Sequence, residues 1–173
     1  EEQVRTIIDV VDKLKVNTIM LWPNVDAGSD DVARGIRGYR EIKKLERFHF
    51  FKSLPMEIFI SLMAKCACII GNSSSSIRDG AFIGVPAVNV GSRQQGRERG
   101  RNVIDVGFSK EEIRNAIEHC LKHGKYKKDT LYGDGNAAKR IIGILRNHKS
   151  NIQKRFVDYP EFHSSCDPSK KTL

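Results

Sequence analysis

Val4, Ile7, Ile8, Val11 and Leu14 recur at helical spacing, which predicts an amphipathic helix over residues 1–14. An apolar strand over residues 17–21 follows and is stopped by Pro23. Ser29 is placed to cap a helix through about Ile42, Phe48 to Phe51 read as a short strand, and Pro55 opens a helix toward Lys65 in the first position, where proline is tolerated. Ala67 to Ile70 is an apolar run ending at Gly71, as expected for a strand covered on both faces. A helix beginning near residue 74 comes next, then strands over residues 87–90 and 103–106. The capping box Ser109-Lys110-Glu111-Glu112 starts a helix to about His123, and a last helix spans residues 136–147. Strands alternating with helices at these lengths predict an α/β fold with a doubly wound parallel sheet. The chain contains no internal repeat.

Composition narrows the class without changing the fold. At 173 residues and 39% hydrophobic content, the chain can bury one sizeable core. Residues 1–147 read as that domain. From His148 the sequence turns polar, with only Phe156, Val157, Tyr159 and Phe162 able to pack, so residues 148–173 are expected to be an extension. No apolar run has the length of a membrane span and no secretory pattern opens the chain, so no membrane partner and a cytoplasmic location are the expectations. A net charge of +9 raises the question of nucleic acid, but lysines and arginines are spread among helices, one loop and the tail. Basic and aromatic residues do not interleave as RNA recognition requires, so a nucleic-acid partner is not expected, and the charge suits an anionic nucleotide equally well. Cys66, Cys68, Cys120 and Cys166 lack the paired spacing of a zinc site or the density of a disulfide framework. Reduced thiols and no metal follow.

Candidate chemistry gathers between residues 68 and 93. Gly71-Asn72 turns the chain, and Ser73, Ser74 and Ser75 stand where the next helix begins. A helix amino terminus presents backbone N–H groups without internal partners and the positive end of the dipole, so a phosphate there meets aligned donors. The same serines serve equally as ordinary caps. Asp79 lies one to two turns into the helix, close enough to the mouth to accept from sugar hydroxyls. Arg93 follows the strand over residues 87–90 and could reach the same mouth, because parallel strands flanking one helix end on one sheet edge, where ligands of open α/β sheets bind.

These residues resemble a known family. Gly71-Asn72-Ser73-Ser74-Ser75-Ser76-Ile77-Arg78-Asp79, the run from Gly84 to Gln94, Gly96-Arg97-Glu98 and Asn102-Val103 are similar to segments of the hydrolysing UDP-N-acetylglucosamine 2-epimerases. Pro23-Asn24-Val25-Asp26-Ala27-Gly28-Ser29 upstream and Tyr132-Gly133-Asp134-Gly135-Asn136-Ala137 downstream extend the likeness over residues 1–147. The resemblance implies a Rossmann-like UDP-binding domain, the second half of a two-domain glycosyltransferase-B-type architecture. The chain starts at Glu1, inside a helix, and so reads as a fragment, with the general acid and base expected upstream. The implied reaction converts UDP-N-acetylglucosamine and water to N-acetylmannosamine and UDP, for sialic-acid-type sugars.

By this resemblance UDP is held by Ser73, Ser74, Ser75, Asp79 and Arg93, with Gln94 assisting beside Arg93. The family usually has a glutamate where this chain has Asp79, one methylene shorter. Arg93 would stabilise the leaving diphosphate. Asn24 is either a turn former or a contact on the ligand edge, and Ser53 and Leu54 either pack as an ordinary loop or meet the uracil. Arg34, Arg37 and Arg40 stripe one helix, as a solvated face or a second anion site. The glycine-rich, charged loop over residues 91–100 is expected to move and to close over the cleft, and Arg97, Arg99 and Arg101 receive no role. No cofactor is called for, and a homodimer or homotetramer is implied. A non-hydrolysing 2-epimerase, another nucleotide-sugar transferase and a non-catalytic UDP-sugar-sensing domain stand as alternatives.

Overall fold

The computed structural model of the chain describes residues 1–24, 28–149 and 153. The chain divides into two compact units, Glu1–Gly135 and a second beginning at Asn136. The division falls before the last helix, whereas the sequence pattern draws it after residue 147. Val25, Asp26, Ala27, Cys166 and nearly all of the expected extension lie outside the described residues.

In the first unit, α1 (Glu2–Lys13), β1 (Thr18–Leu21), α2 (Ser29–Ile42), β2 (Phe48–Phe51), α3 (Met56–Lys65), β3 (Ile69–Gly71), α4 (Ser74–Ile83), β4 (Ala87–Val90), β5 (Val103–Val106) and α5 (Lys110–His123) follow one another. All strand pairs are parallel. Their hydrogen bonds form a two-stranded sheet, β1-β2, and a three-stranded sheet in the order β3-β4-β5. One core joins them: Val4, Ile8 and Val11 of α1, Ile36 of α2, Phe48 of β2, Val88 and Val90 of β4, and Ile113 and Ile117 of α5 form a continuous apolar cluster. Helix α5 packs on β4, β5 and α1, while α4 packs on β4, β5 and α3. Strand β4 is therefore covered from both sides, and all four of its residues are buried.

Three expectations need correction. The strand expected over Ala67 to Ile70 begins at Ile69 and is half-buried, so it is not the doubly covered strand; β4 is. Ser29 is not the cap of α2. Gly28 is, with φ of 81°, and Ser29 is the first helical residue. Pro55 stands one place outside α3, at its cap position.

An ionic hub pins the α1, α2 and α5 side. Asp9 accepts hydrogen bonds from Lys110 (2.9 Å), Lys13 (3.1 Å), Lys43 (3.3 Å) and the Tyr39 hydroxyl (3.1 Å). The Lys110 bond contributes most to holding this carboxyl far below the usual carboxylate range, with Lys13, Lys43 and Tyr39 adding to it against the cost of burial.

The second unit is described through α6 (Ala137–Asn147), with Asn136 at its cap position. Among the described residues, no helix is long and apolar enough to cross a membrane.

Candidate functional site

The site grows from the carboxyl end of β3. Gly71 leaves the strand with φ of 139°, a backbone region that side chains rarely adopt, and turns the chain toward α4. Ser73 caps that helix: its Oγ accepts from the Ser75 N–H at 3.4 Å, while the Ser76 hydroxyl donates to the Ser73 carbonyl at 2.7 Å. Ser76 is buried and faces the fold, whereas Ser73 is exposed and Ser74 and Ser75 are half-buried at the same turn. The first turn of α4 contains no acidic residue. Its positive end is therefore not neutralised by an acidic side chain of its own first turn.

Asp79 is exposed on α4, four residues after Ser75 and hence on the same face. The Cα–Cβ bonds of a helix tilt toward its amino terminus, the side on which the serine turn lies. Arg93 is exposed in the loop that leaves β4, and Asn89 at the end of β4 is in register with Gly71. Ser73, Ser74, Ser75 and Arg93 thus lie beyond the carboxyl ends of two neighbouring parallel strands. Asn24 and Ser53-Leu54 follow β1 and β2 and lie beyond the carboxyl ends of their own sheet.

The turn and the loop are braced from behind. Gln94 is only 4% exposed, and its Nε2 donates to the Asn72 carbonyl at 2.8 Å. Gln94 therefore stands behind the serine turn as a support, where the family resemblance has it assist Arg93. Asn102 is buried at the foot of β5, donating to the carbonyls of Ser76 (3.2 Å) and Val85 (2.9 Å), which fastens both ends of α4 to the sheet. The loop over residues 91–100, expected to be loose, is tied at several points. The Gly91 N–H donates to Val106 (2.9 Å) and the Tyr132 hydroxyl to the Glu98 carbonyl (2.6 Å), while Arg99 bridges the loop to Asp105. Gly91 must be glycine: its φ is 84°, and the Phe108 ring sits 2.7 Å from where a Cβ would stand. A shallow cleft of about 550 Å³ opens on the β5 side of this loop, lined by Ser92, Gln95, Arg97, Arg99, Asp105 and Phe108. None of Ser73, Ser74, Ser75 and Asp79 lines it.

Asn89, Arg99, Asn102 and Asp105 had no role in the sequence reading. Asn89 had a signal: one polar residue inside the apolar run Ala87-Val88-Asn89-Val90 must find a partner when buried.

Other candidates recede. Arg34 pairs with Asp31, Arg37 Nε reaches the Ala33 carbonyl at 3.4 Å, and Arg40 lies 4.5 Å over the Phe50 ring, all on an exposed helix face. Cys68 is half-buried and donates to the Ile69 carbonyl at 3.5 Å; the neighbouring Cys120 thiol and the cost of desolvation hold it protonated far above the ordinary thiol range, and burial also pushes the Cys66 thiol up. Among the described residues, no group of three or more His, Cys, Asp or Glu side chains could hold a metal ion.

The sequence profile of the UDP-N-acetylglucosamine 2-epimerases matches residues 1–146. The chain belongs to the UDP-N-acetylglucosamine 2-epimerase family. The UDP-N-acetylglucosamine 2-epimerase of Neisseria meningitidis serogroup B is 29% identical over 148 residues, covering 82% of this chain and 38% of the relative. The UDP-N,N'-diacetylbacillosamine 2-epimerase (hydrolyzing) of Legionella pneumophila is 33% identical over 144 residues, covering 83% and 37%. The chain therefore spans less than two fifths of the length of these relatives. Among solved structures, the Methanocaldococcus jannaschii UDP-GlcNAc 2-epimerase in complex with UDP-GlcNAc and UDP superposes with a TM-score of 0.64 at 16% identity, covering 86% of this chain and 42% of that one. The epimerase family's α/β, Rossmann-like fold is thus shared.

Proposed function

We propose that this chain is the UDP-binding half of a hydrolysing UDP-N-acetylglucosamine 2-epimerase, which converts UDP-N-acetylglucosamine and water to N-acetylmannosamine and UDP. The observation that carries the proposal is the acid-free, serine-capped amino end of α4 at the sheet edge, next to the loop bearing Arg93. A diphosphate is the anion that this arrangement suits. In the reaction, a base removes the proton from C2 of the sugar as the C1–O bond breaks and its electron pair leaves with UDP. Water then adds across the resulting C1–C2 double bond, hydroxide at C1 and a proton at C2 on the opposite face. Bond breaking puts negative charge on the departing diphosphate. Donors aligned on it beforehand stabilise it more as that charge grows, which lowers the barrier rather than only tightening binding.

In this reading Ser73, Ser74, Ser75 and the α4 N–H groups hold the diphosphate, Arg93 stabilises its developing charge and Asp79 accepts from the ribose. Asn24 and Ser53-Leu54 line the uridine side, and Gln94 supports the serine turn. The acid and base belong to a first domain outside this chain, so the chain alone binds UDP weakly and turns nothing over. Cytoplasmic synthesis of sialic-acid-type sugars and a homodimer or homotetramer complete the proposal.

The test is to incubate the complete protein with UDP-N-acetylglucosamine and follow the products by NMR. Free UDP with N-acetylmannosamine is expected, whereas UDP-N-acetylmannosamine would place the protein among non-hydrolysing epimerases. The 33% identity to the Legionella relative supports a second reading, in which UDP-N,N'-diacetylbacillosamine is the substrate. Offering both sugars in the same assay decides between them.

A further inference from the structure

We propose that Arg99 and Asp105 are positioning residues, an ion-paired clamp that sets the loop bearing Arg93 and, through Gln94, the serine turn before a nucleoside diphosphate arrives. The inference rests on the diphosphate reading of the α4 mouth. Arg99 Nε lies 3.0 Å from Asp105 Oδ2, and its Nη2 lies 3.3 Å from Oδ1. The same guanidinium donates through Nη1 to the Arg97 carbonyl at 2.6 Å and through Nη2 to the Gln94 carbonyl at 2.7 Å. One planar head therefore joins a carboxylate on β5 to two carbonyls of the loop, a geometry that a lysine ammonium cannot reproduce.

The carboxylate is itself held. Asn89, 1% exposed on the central strand, donates to Asp105 Oδ1 at 2.6 Å. Burial works against the charge on Asp105, but the Arg99 and Asn89 hydrogen bonds outweigh it and keep this carboxyl below its ordinary value, so the clamp is intact at neutral pH. From the Gln94 carbonyl the connection passes to the Gln94 side chain, and from its amide to the Asn72 carbonyl, one residue before the Ser73 cap. The contacts run without a break from the middle of the sheet to the phosphate turn, passing the residue next to Arg93.

Global stability does not explain such a device. The Arg99 side chain is 24% exposed and that of Asp105 51%, and ion pairs so placed contribute little to folding. Their value lies in order. The loop contains Gly91, Gly96 and Gly100, which leave its backbone permissive, and a leaving-group donor is effective only when its geometry is set in advance.

The experiment compares wild type, Arg99→Lys, Asp105→Asn and Asp105→Glu in the complete protein, measuring kcat and KM for the UDP-sugar, thermal midpoint, and amide hydrogen exchange across residues 91–100. Arg99→Lys and Asp105→Asn are expected to lower kcat about 10- to 100-fold, the loss typical of a small misplacement of catalytic groups, with KM changed less than about threefold. Exchange in the loop should rise while the midpoint moves by a few degrees at most, and Asp105→Glu should recover part of the rate. A wild type active on the sugar with variants whose kcat and loop exchange match it would overturn the clamp and leave the functional reading standing. Wild type that neither binds UDP nor turns over the sugar would remove the functional reading and the clamp with it.

Discussion

Helices α4 and α5 both begin with a serine cap beside the same three-stranded sheet, yet their amino ends are electrostatic opposites. In α5 the Ser109 Oγ accepts from the Glu112 N–H, Glu111 and Glu112 fill the first turn, and Glu112 Oε2 accepts from the Gly107 N–H at 3.0 Å. The positive end of that helix is neutralised by its own side chains. In α4 the cap is present and the acids are absent, so the first turn does not neutralise its own field. The serine cap is common to both ends; what separates them is the missing carboxylates of α4.

The largest expected effect comes from Arg93, the leaving-group donor of the proposed reaction. Arg93→Ala should lower kcat/KM for the UDP-sugar by about one to three powers of ten, the loss of a donor that acts on developing charge. Unchanged kinetics would remove Arg93 from the mechanism. Making α4 resemble α5 should come next. Ser75→Glu puts a carboxylate where α5 has Glu111, and UDP affinity by calorimetry should fall about 30- to 100-fold from like-charge repulsion while the fold persists. Retained affinity would show that the diphosphate binds elsewhere.

Two stability experiments sharpen the other side of the contrast. Asp9→Asn should cost about 1–2 kcal/mol in denaturant unfolding at pH 7, because three lysines and a tyrosine hydroxyl lose their common carboxylate, though the exposed lysines are screened. The sign of the pH dependence follows from a carboxyl held low in the folded state. Its contribution is present above the unfolded value of about 3.9 and is lost as pH falls below it, so wild type and variant should converge in acid. The smallest effect is reserved for the closed helix end. Glu112→Ala should destabilise by about 0.5–1 kcal/mol and leave UDP affinity untouched. A change in affinity would show that the two helix ends communicate.

Local chemistry made much of this legible. Phe48–Phe51, Ala87–Val90 and Val103–Val106 are strands with the expected bounds, because apolar runs are cut by prolines, glycines and charges that act within a few residues. The Ser109 cap was legible for the same reason. Its reciprocal partner was not: Glu112 reaches the Gly107 N–H, a choice set by how the chain leaves β5. Gln94 has the composition of a ligand contact and the position of a support, since its orientation depends on where the Asn72 turn lies in space, 22 residues away in the chain. Arg99 looked like one charge among several in a loop, and only its distance from Asp105 separates it from Arg97 and Arg101.

The sequence by itself determined the alternation of strands and helices and the serine-capped turn after Gly71, because capping, periodicity and glycine conformation are properties of near neighbours. Tertiary structure alone decided that β4 is the doubly covered strand and that Asn89, Asp105, Arg99 and Gln94 form one brace. Those outcomes depend on through-space distances between segments far apart in the chain, and burial converts such distances into required partners.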